Sequence, residues 1–234
     1  MPNKKHVYFA GCTGEIGKRL LGNLIASNEI ERIHLLTRRP TGIENRKVFE
    51  HLVNFNKLAN FKISSNKLNE EIEIISYCTL GTTIKKAGSR TDFCKVDYDY
   101  VVNFAKWANN NNSQKFAVVS SLDASSESKS FYLNTKGKME HSIKTFSWET
   151  IWILRPSLLL GKREEFRFFE YIGGLASNLI CPFLVGRLRR YRPINMDDVA
   201  TTLTSLMSSP DLGVNVLESD QIIEIAKTRP KTTF

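Results

Sequence analysis

No apolar run in this 234-residue sequence reaches the roughly 18 residues that a membrane-crossing helix needs. The opening MPNKKHVYFAGCTG has a basic end, but its apolar segment gives way at once to glycine. That is too short for the core of an export signal and reads as a first strand. Cysteine is scarce: Cys12, Cys78, Cys94 and Cys181 are scattered and form no CxxC pair, so neither a zinc site nor a disulfide framework is expected. Without an export signal, reduced thiols in a cytoplasm are the simplest expectation. The four histidines, His6, His34, His51 and His141, share no metal-ligand spacing; no metal is expected and each reads as structural. The sequence has no internal repeat. Glu164 and Glu165 are adjacent and would not face each other on a helix, so they make a poor acid–base pair.

What is present is ordinary for a globular chain: 41% apolar and 24% charged residues. The length fits one large domain or two small ones, and the expectation is a single domain over 1–234. The net charge of +9 attracts anions, a class that includes nucleic acid, acidic membranes and phosphorylated cofactors.

The apolar pattern alternates between two periods. HVYFA (6–10), RIHLLT (32–37), IEIISYC (72–78), KFAVVS (115–120) and TIWIL (150–154) are short and β-rich, several of them apolar at consecutive positions, as strands covered on both faces are. Residues 48–53 form a weaker candidate. Between them lie helical stripes: Ile16, Leu20 and Leu24 widened by Leu21 and Ile25; Val101, Phe104, Ala105 and Ala108 behind a capping Asp97; Tyr132, Lys136, Met139 and Ile143; and Val199, Leu203, Leu206 and Met207 behind Asp197 and Asp198. Strands alternating with helices predict an α/β fold, a Rossmann-like doubly wound parallel sheet with helices on both faces. Residues 158–193 break the alternation and read as a lid-like excursion, a small C-terminal substrate region.

FAGCTGEIGKRLL (9–21) places Gly11, Gly14 and Gly17 directly after a predicted strand, at the opening of a predicted helix. Gly11 permits the tight turn, Gly14 lets backbone approach a pyrophosphate, and Gly17 permits close helix–strand packing. The helix N-terminus then offers free N–H groups to the anion. The spacing is GxxGxxG rather than GxGxxG, and a plain strand–helix turn is the competing reading. The second strand ends LLTRRP, where NAD-binding folds place an acid for the ribose. Arg38 and Arg39 stand there instead; a guanidinium pairs with a ribose 2′-phosphate, which favours NADP(H) over NAD(H).

YLNTK (132–136) puts Tyr132 and Lys136 on one helical face. An ammonium beside a phenol favours the phenolate, and such a tyrosine can give a proton to a carbonyl oxygen or take one from an alcohol. The same lysine can hold the nicotinamide ribose. A strand-end serine would hold the substrate oxygen; Ser120 and Ser121 both stand there, and Ser121 is preferred. The competing reading is that Tyr132 merely packs in the stripe.

GCTGEIG, the double serine, YLNTK and LRPSLLLG resemble the short-chain dehydrogenase/reductase superfamily in its atypical or extended branch. YCTLGTTIKKAGSRTDFCKVDYDYV (77–101), YLNTKGKME, LRPSLLLGKREEFR and RYRPINMDDVA extend the resemblance to the Tat-interacting oxidoreductase-like proteins over nearly the whole chain. The resemblance implies a Rossmann fold binding NADPH at Gly11, Thr13, Gly14, Glu15, Ile16 and Gly17, with Arg38 and Arg39 at the 2′-phosphate. It implies Leu80, Gly81 and Thr82 along the cofactor, and Ser121, Tyr132 and Lys136 at the catalytic positions. Two departures stand out: Ser121 and Tyr132 are only eleven residues apart, and the long C-terminal domain of sugar-nucleotide epimerases is missing, which argues against a bulky nucleotide-sugar substrate.

The expected function is therefore NADP(H)-dependent hydride transfer to or from a small carbonyl or alcohol. A non-enzymatic NADPH-binding regulator is the alternative. The basic run GRLRRYRP (186–193) reads as a solvated or anion-facing loop, and no nucleic acid is expected. Cys12 and Cys78 read as small buried thiols. Monomer and homodimer stay open.

Overall fold

A computed structural model describes residues 4–63, 72–160 and 184–228. Among the described residues, seven parallel strands form one sheet: β1 (Lys5–Ala10), β2 (Ile30–Thr37), β3 (Val48–Leu52), β4 (Glu73–Cys78), β5 (Lys115–Val119), β6 (Thr150–Arg155) and β9 (Gly213–Glu218). Their spatial order is β3-β2-β1-β4-β5-β6-β9. The chain thus winds outward from β1 to one edge, then returns to build the other half from β4. A two-residue parallel pair, β7 (Leu159–Leu160) and β8 (Ile194–Asn195), lies outside this sheet.

Strand period decides which side each residue faces. Val7 and Phe9 of β1 join Ile33 and Leu35 of β2 and Ile75 and Tyr77 of β4 in one core. Against it pack α1 (Glu15–Ala26) through Ile16, Leu20 and Leu24, α6 (Met196–Ser205) through Val199 and Leu203, and α7 (Ser219–Lys227) through Ile222. Tyr8 and Ala10 point the other way, with Leu36, Ile74 and Phe116. That face is covered by α4 (Tyr100–Asn110) through Val101, Phe104 and Trp107, and by α5 (Phe131–Lys144) through Met139 and Ile143. Both faces are buried, which explains the consecutive apolar residues in the central strands. Each fully buried Leu, Ile or Phe contributes about 1.5–3 kcal/mol, so the two cores supply most of the drive to fold.

Two helix starts differ from expectation. Asp97 does not cap a free helix end. The helical run begins earlier, with α2 (Ile84–Ala87) and then α3 (Arg90–Cys94), capped by Ser89, whose hydroxyl accepts the Asp92 N–H. A π-helical turn, Lys95–Asp99, joins α3 to α4, and Asp97 is buried inside it. Asp197 and Asp198 lie in the first turn of α6, where they favour the positive helix end without accepting a capping hydrogen bond. Asp197 instead meets the Arg19 guanidinium at 2.8 Å. Of the expected excursion over 158–193, residues 161–183 lie outside the described residues, as do Glu164, Glu165 and Cys181. Described parts of it include β7 and a 3₁₀ turn, Gly186–Tyr191; β8 follows directly after it.

Candidate functional site

The site lies at the C-terminal ends of the strands, where β1 and β4 diverge. The chain leaves β1 for α1 on one face and leaves β4 for α2 to α4 on the other, which opens a crevice between them. The three glycines of the first turn serve different ends. Gly11 has φ +101°, and a Cβ there would stand 2.5 Å from the Thr79 carbonyl carbon. A Cβ on Gly17 would stand 2.1 Å from the Gly11 oxygen. Both positions are closed to any side chain by the chain itself. Among the described residues a Cβ on Gly14 would meet only the Gly11 oxygen, at an ordinary 3.5 Å, so none of them demands glycine there. Gly14 is also the N-cap of α1 and supplies no side chain to the first-turn N–H groups. Those donors have no partner within the helix, and the open cradle at Gly14 fits a diphosphate.

The other loop residues fall into place around this turn. Thr13 is exposed, Ile16 is buried in the core and Glu15 is exposed, its carboxylate 3.0 Å from Arg19 and 3.6 Å from Lys18. The Arg19 hydrogen bond holds the Glu15 carboxyl below its ordinary value. The Ile16 side chain is thus turned into the core, and that of Glu15 is engaged by Arg19 and Lys18. Cys12 is buried, and burial pushes its thiol up to about 11, which removes the thiolate that oxidation needs.

Next to the crevice lies a cleft of about 330 Å³ lined by Arg38, Gly81, Thr82, Lys86, Asp92, Lys95 and Tyr100, among others. Arg38 is exposed, its guanidinium 5.7 Å from the Tyr100 ring centre. Arg39 is also exposed but does not line the cleft. Among the described residues, three cations and one carboxylate thus line the cleft, and Lys86 and Lys95 were not anticipated. Leu80 is half-buried against the α4–α5 core, and the Thr82 N–H donates to Asp97 Oδ2 at 2.8 Å.

Helix α5, capped by Ser130, carries Tyr132 and Lys136. Tyr132 is half-buried, with its ring 5.6 Å from that of Phe93. Lys136 is buried, and its ammonium meets Asp97 Oδ1 at 2.7 Å. Burial alone would pull the Lys136 ammonium down; the Asp97 carboxylate, and after it Tyr132, outweigh this and hold it above its ordinary value. Gly137 keeps α5 close to the loop that leads into it, since a Cβ there would stand 2.1 Å from the Ser125 carbonyl carbon.

The two serines after β5 separate. Ser120 is buried and donates to Glu140 Oε1 at 2.6 Å; Glu140 also takes both Arg155 Nε at 3.0 Å and Arg155 Nη2 at 2.6 Å. Ser121 is half-buried, and its hydroxyl makes only a long 3.4 Å contact with the Leu122 carbonyl. In the basic 3₁₀ turn, Arg190 meets Asp123 at 3.5 Å and Glu218 at 3.4 Å, and Arg192 Nε donates to the Leu184 carbonyl. Two of the four arginines are therefore engaged within the chain. Among the described residues no cluster of His, Cys, Asp or Glu could hold a metal ion, and no helix is long and apolar enough to cross a membrane.

Comparison with known proteins places this geometry. A family model described as HIM1 matches residues 44–174. Protein HTATIP2 of Rattus norvegicus is 28% identical over 231 residues, covering 95% of this chain and 90% of that protein. Protein FMP52, mitochondrial, of Debaryomyces hansenii is 30% identical over 208 residues, covering 87% and 88%. Among solved structures, MoeE5 in complex with UDP-glucose and NAD superposes with a TM-score of 0.63 at 14% identity, over 95% of this chain and 81% of that one. The structure supports the Rossmann-like fold, and the resemblance to Tat-interacting oxidoreductase-like proteins holds. The cytoplasmic expectation does not: the fungal relative is named mitochondrial. Its basis was weak in physical terms, because reduced thiols and the lack of an apolar export segment do not separate a cytoplasm from an organelle reached by an amphipathic, Arg-rich signal. Matched by that model over more than half its length, and by relatives over most of it, the chain belongs to the HIM1 family.

Proposed function

We propose that the protein is an NADP(H)-dependent oxidoreductase that interconverts a small carbonyl and its alcohol, and that all of 1–234 serves this one Rossmann unit. The observation that carries the reading is the charged Lys136 held buried within the field of Tyr132, beside the loop that borders the cationic cleft. The N–H groups of the first turn of α1, with Gly11, Thr13 and Gly14, hold the diphosphate. Arg38 and Lys86 take the 2′-phosphate, with Lys95 adding charge and Tyr100 backing the guanidinium; Arg39 contributes long-range charge only. Leu80, Gly81 and Thr82 line the path toward α5.

A bound nicotinamide would supply the hydride in reduction and accept it in oxidation. Tyr132 Oη gives its proton to the carbonyl oxygen as the alcohol forms, or removes one in the reverse direction. The Lys136 ammonium stabilises the resulting phenolate and donates to the ribose hydroxyls. Ser121 Oγ donates to the substrate oxygen and orients it; Ser120, committed to Glu140, fixes the strand end from below.

The test is NADPH oxidation across a panel of aldehydes and ketones with Tyr132→Phe as control. Turnover that falls by about 100-fold or more in Tyr132→Phe, with NADPH affinity unchanged, supports the reading. NADPH binding without turnover on any member would favour the regulator instead.

A further inference from the structure

The Lys136–Asp97 pair has features that packing alone does not require. Asp97 is 1% exposed and Lys136 4%, so both charges are out of water. A buried ammonium without a carboxylate tends to lose its proton, and a carboxylate without a cation tends to gain one. The two carboxylate oxygens have different tasks. Oδ2 accepts the Thr82 N–H, which ties the carboxylate to the loop after β4. Oδ1 meets the Lys136 ammonium at 2.7 Å. Above it is Gly81, where even a Cβ would come no closer than 3.5 Å to Oδ1 and 3.8 Å to Lys136 Nζ. Asp97 itself sits in the π-helical turn Lys95–Asp99, a local widening of the helix of the kind concentrated at functional sites.

We propose that Asp97 is the positioning residue of Lys136: it fixes the ammonium under Tyr132, keeps it charged in a dry site, and couples it through Thr82 to the cofactor-binding loop. This deepens the oxidoreductase reading and rests on it for its catalytic meaning. The titratable groups facing Lys136 are Asp97 from the π-helical turn, Tyr132 on its own helix and Cys78 from β4. Burial pushes the Cys78 thiol up to about 12, so it stays neutral and cannot replace Asp97 as the counter-charge. Cys94 meets Thr135, the sequence neighbour of Lys136, with its sulfur 3.7 Å from the hydroxyl. Asp97 is therefore the group that decides whether Lys136 is an ammonium or an amine.

The experiment follows the Lys136 ε-methylene resonance by ¹³C NMR as pH is raised in the cofactor-free full chain, with Lys136→Arg to assign the signal. In the unmutated protein Lys136 stays charged beyond pH 10.4, the ordinary lysine value. In Asp97→Asn, which keeps the shape and the Thr82 acceptor but drops the charge, Lys136 loses its proton at least ~2 pH units, or ~100-fold in proton affinity, earlier. Asp97→Glu restores the late titration. An alkaline limb of the NADPH-oxidation pH profile that moves toward acid in Asp97→Asn and returns in Asp97→Glu completes the support. A Lys136 signal that titrates at or below the ordinary lysine value in the unmutated protein overturns the proposal without reference to any variant, even one that fails to fold. An unshifted titration in a folded Asp97→Asn overturns it as well. If the lysine behaves as expected but no carbonyl is reduced, the oxidoreductase reading fails while the assignment of Asp97 as the charge-holding partner stands.

Discussion

Gly14 and Gly17 are both glycine for different reasons, and single substitutions separate them. Gly17→Ala forces a Cβ to within 2.1 Å of the Gly11 oxygen and should destabilise the fold by about 1–3 kcal/mol or more in urea denaturation. Gly14→Ala meets no such contact and should change stability by less than about 1 kcal/mol, yet it should weaken NADPH binding by at least ~10-fold, because its methyl enters the space kept for the diphosphate. The glycine pattern and the part expected of each glycine were legible from the sequence because the pattern sits between a strand and a helix. Which atoms close on Gly11 and Gly17 was not, since that depends on Thr79 and Cys12 coming close across the turn. Lys86 and Lys95 were missed for the same reason: nothing in their spacing relates them to Arg38, which reaches the cleft from just past the end of β2.

At the level of elements, the edge of the sheet holds an arrangement that no local pattern announced. His6, His34 and His51 come from β1, β2 and β3, and adjacent parallel strands bring them to one face. His34 Nδ1 lies 3.0 Å from His51 Nε2, a distance that requires at least one ring to be neutral. Burial, then His51, pulls His34 down to about 3, and burial lowers His51 and His6 as well. These folded values are depressed, so the contribution of the neutral rings is fully present above the ordinary histidine value of 6.5 and is lost as pH falls toward about 3. Urea stability measured from pH 7 to pH 4 should fall, and His34→Phe should flatten that decline. A second element-level contact joins β5, α5 and β6 through Ser120, Glu140 and Arg155. Glu140→Ala strands a partly buried guanidinium and should cost about 3 kcal/mol by urea denaturation, whereas a surface pair would cost under about 1. Strand β9 and helix α7 were not anticipated because β9, an edge strand, is only half-covered: Val214 is exposed, and the apolar alternation is too weak to stand out. β3, also at an edge, gave only a faint signal for the same reason.

For the whole molecule, the sheet order, with the chain returning to the centre after β3, places the glycine turn of β1, the Arg38 end of β2 and the Gly81–Thr82 loop of β4 along one rim. Alternation of strand and helix made this architecture readable, because both faces of a parallel sheet must be buried and leave their mark on every central strand. Charge placement was less readable: the net +9 says that anions are attracted, but only the fold shows three cations gathered at one cleft while Arg190 is neutralised by Asp123 and Glu218. The central claim is that this rim holds a 2′-phosphorylated dinucleotide, and calorimetric titration tests it most directly. Saturable NADPH binding at least ~10-fold tighter than NADH, with that preference lost in an Arg38→Ala, Lys86→Ala double variant that still binds both, is the predicted result. Equal affinity for the two cofactors, or binding of neither, would contradict it.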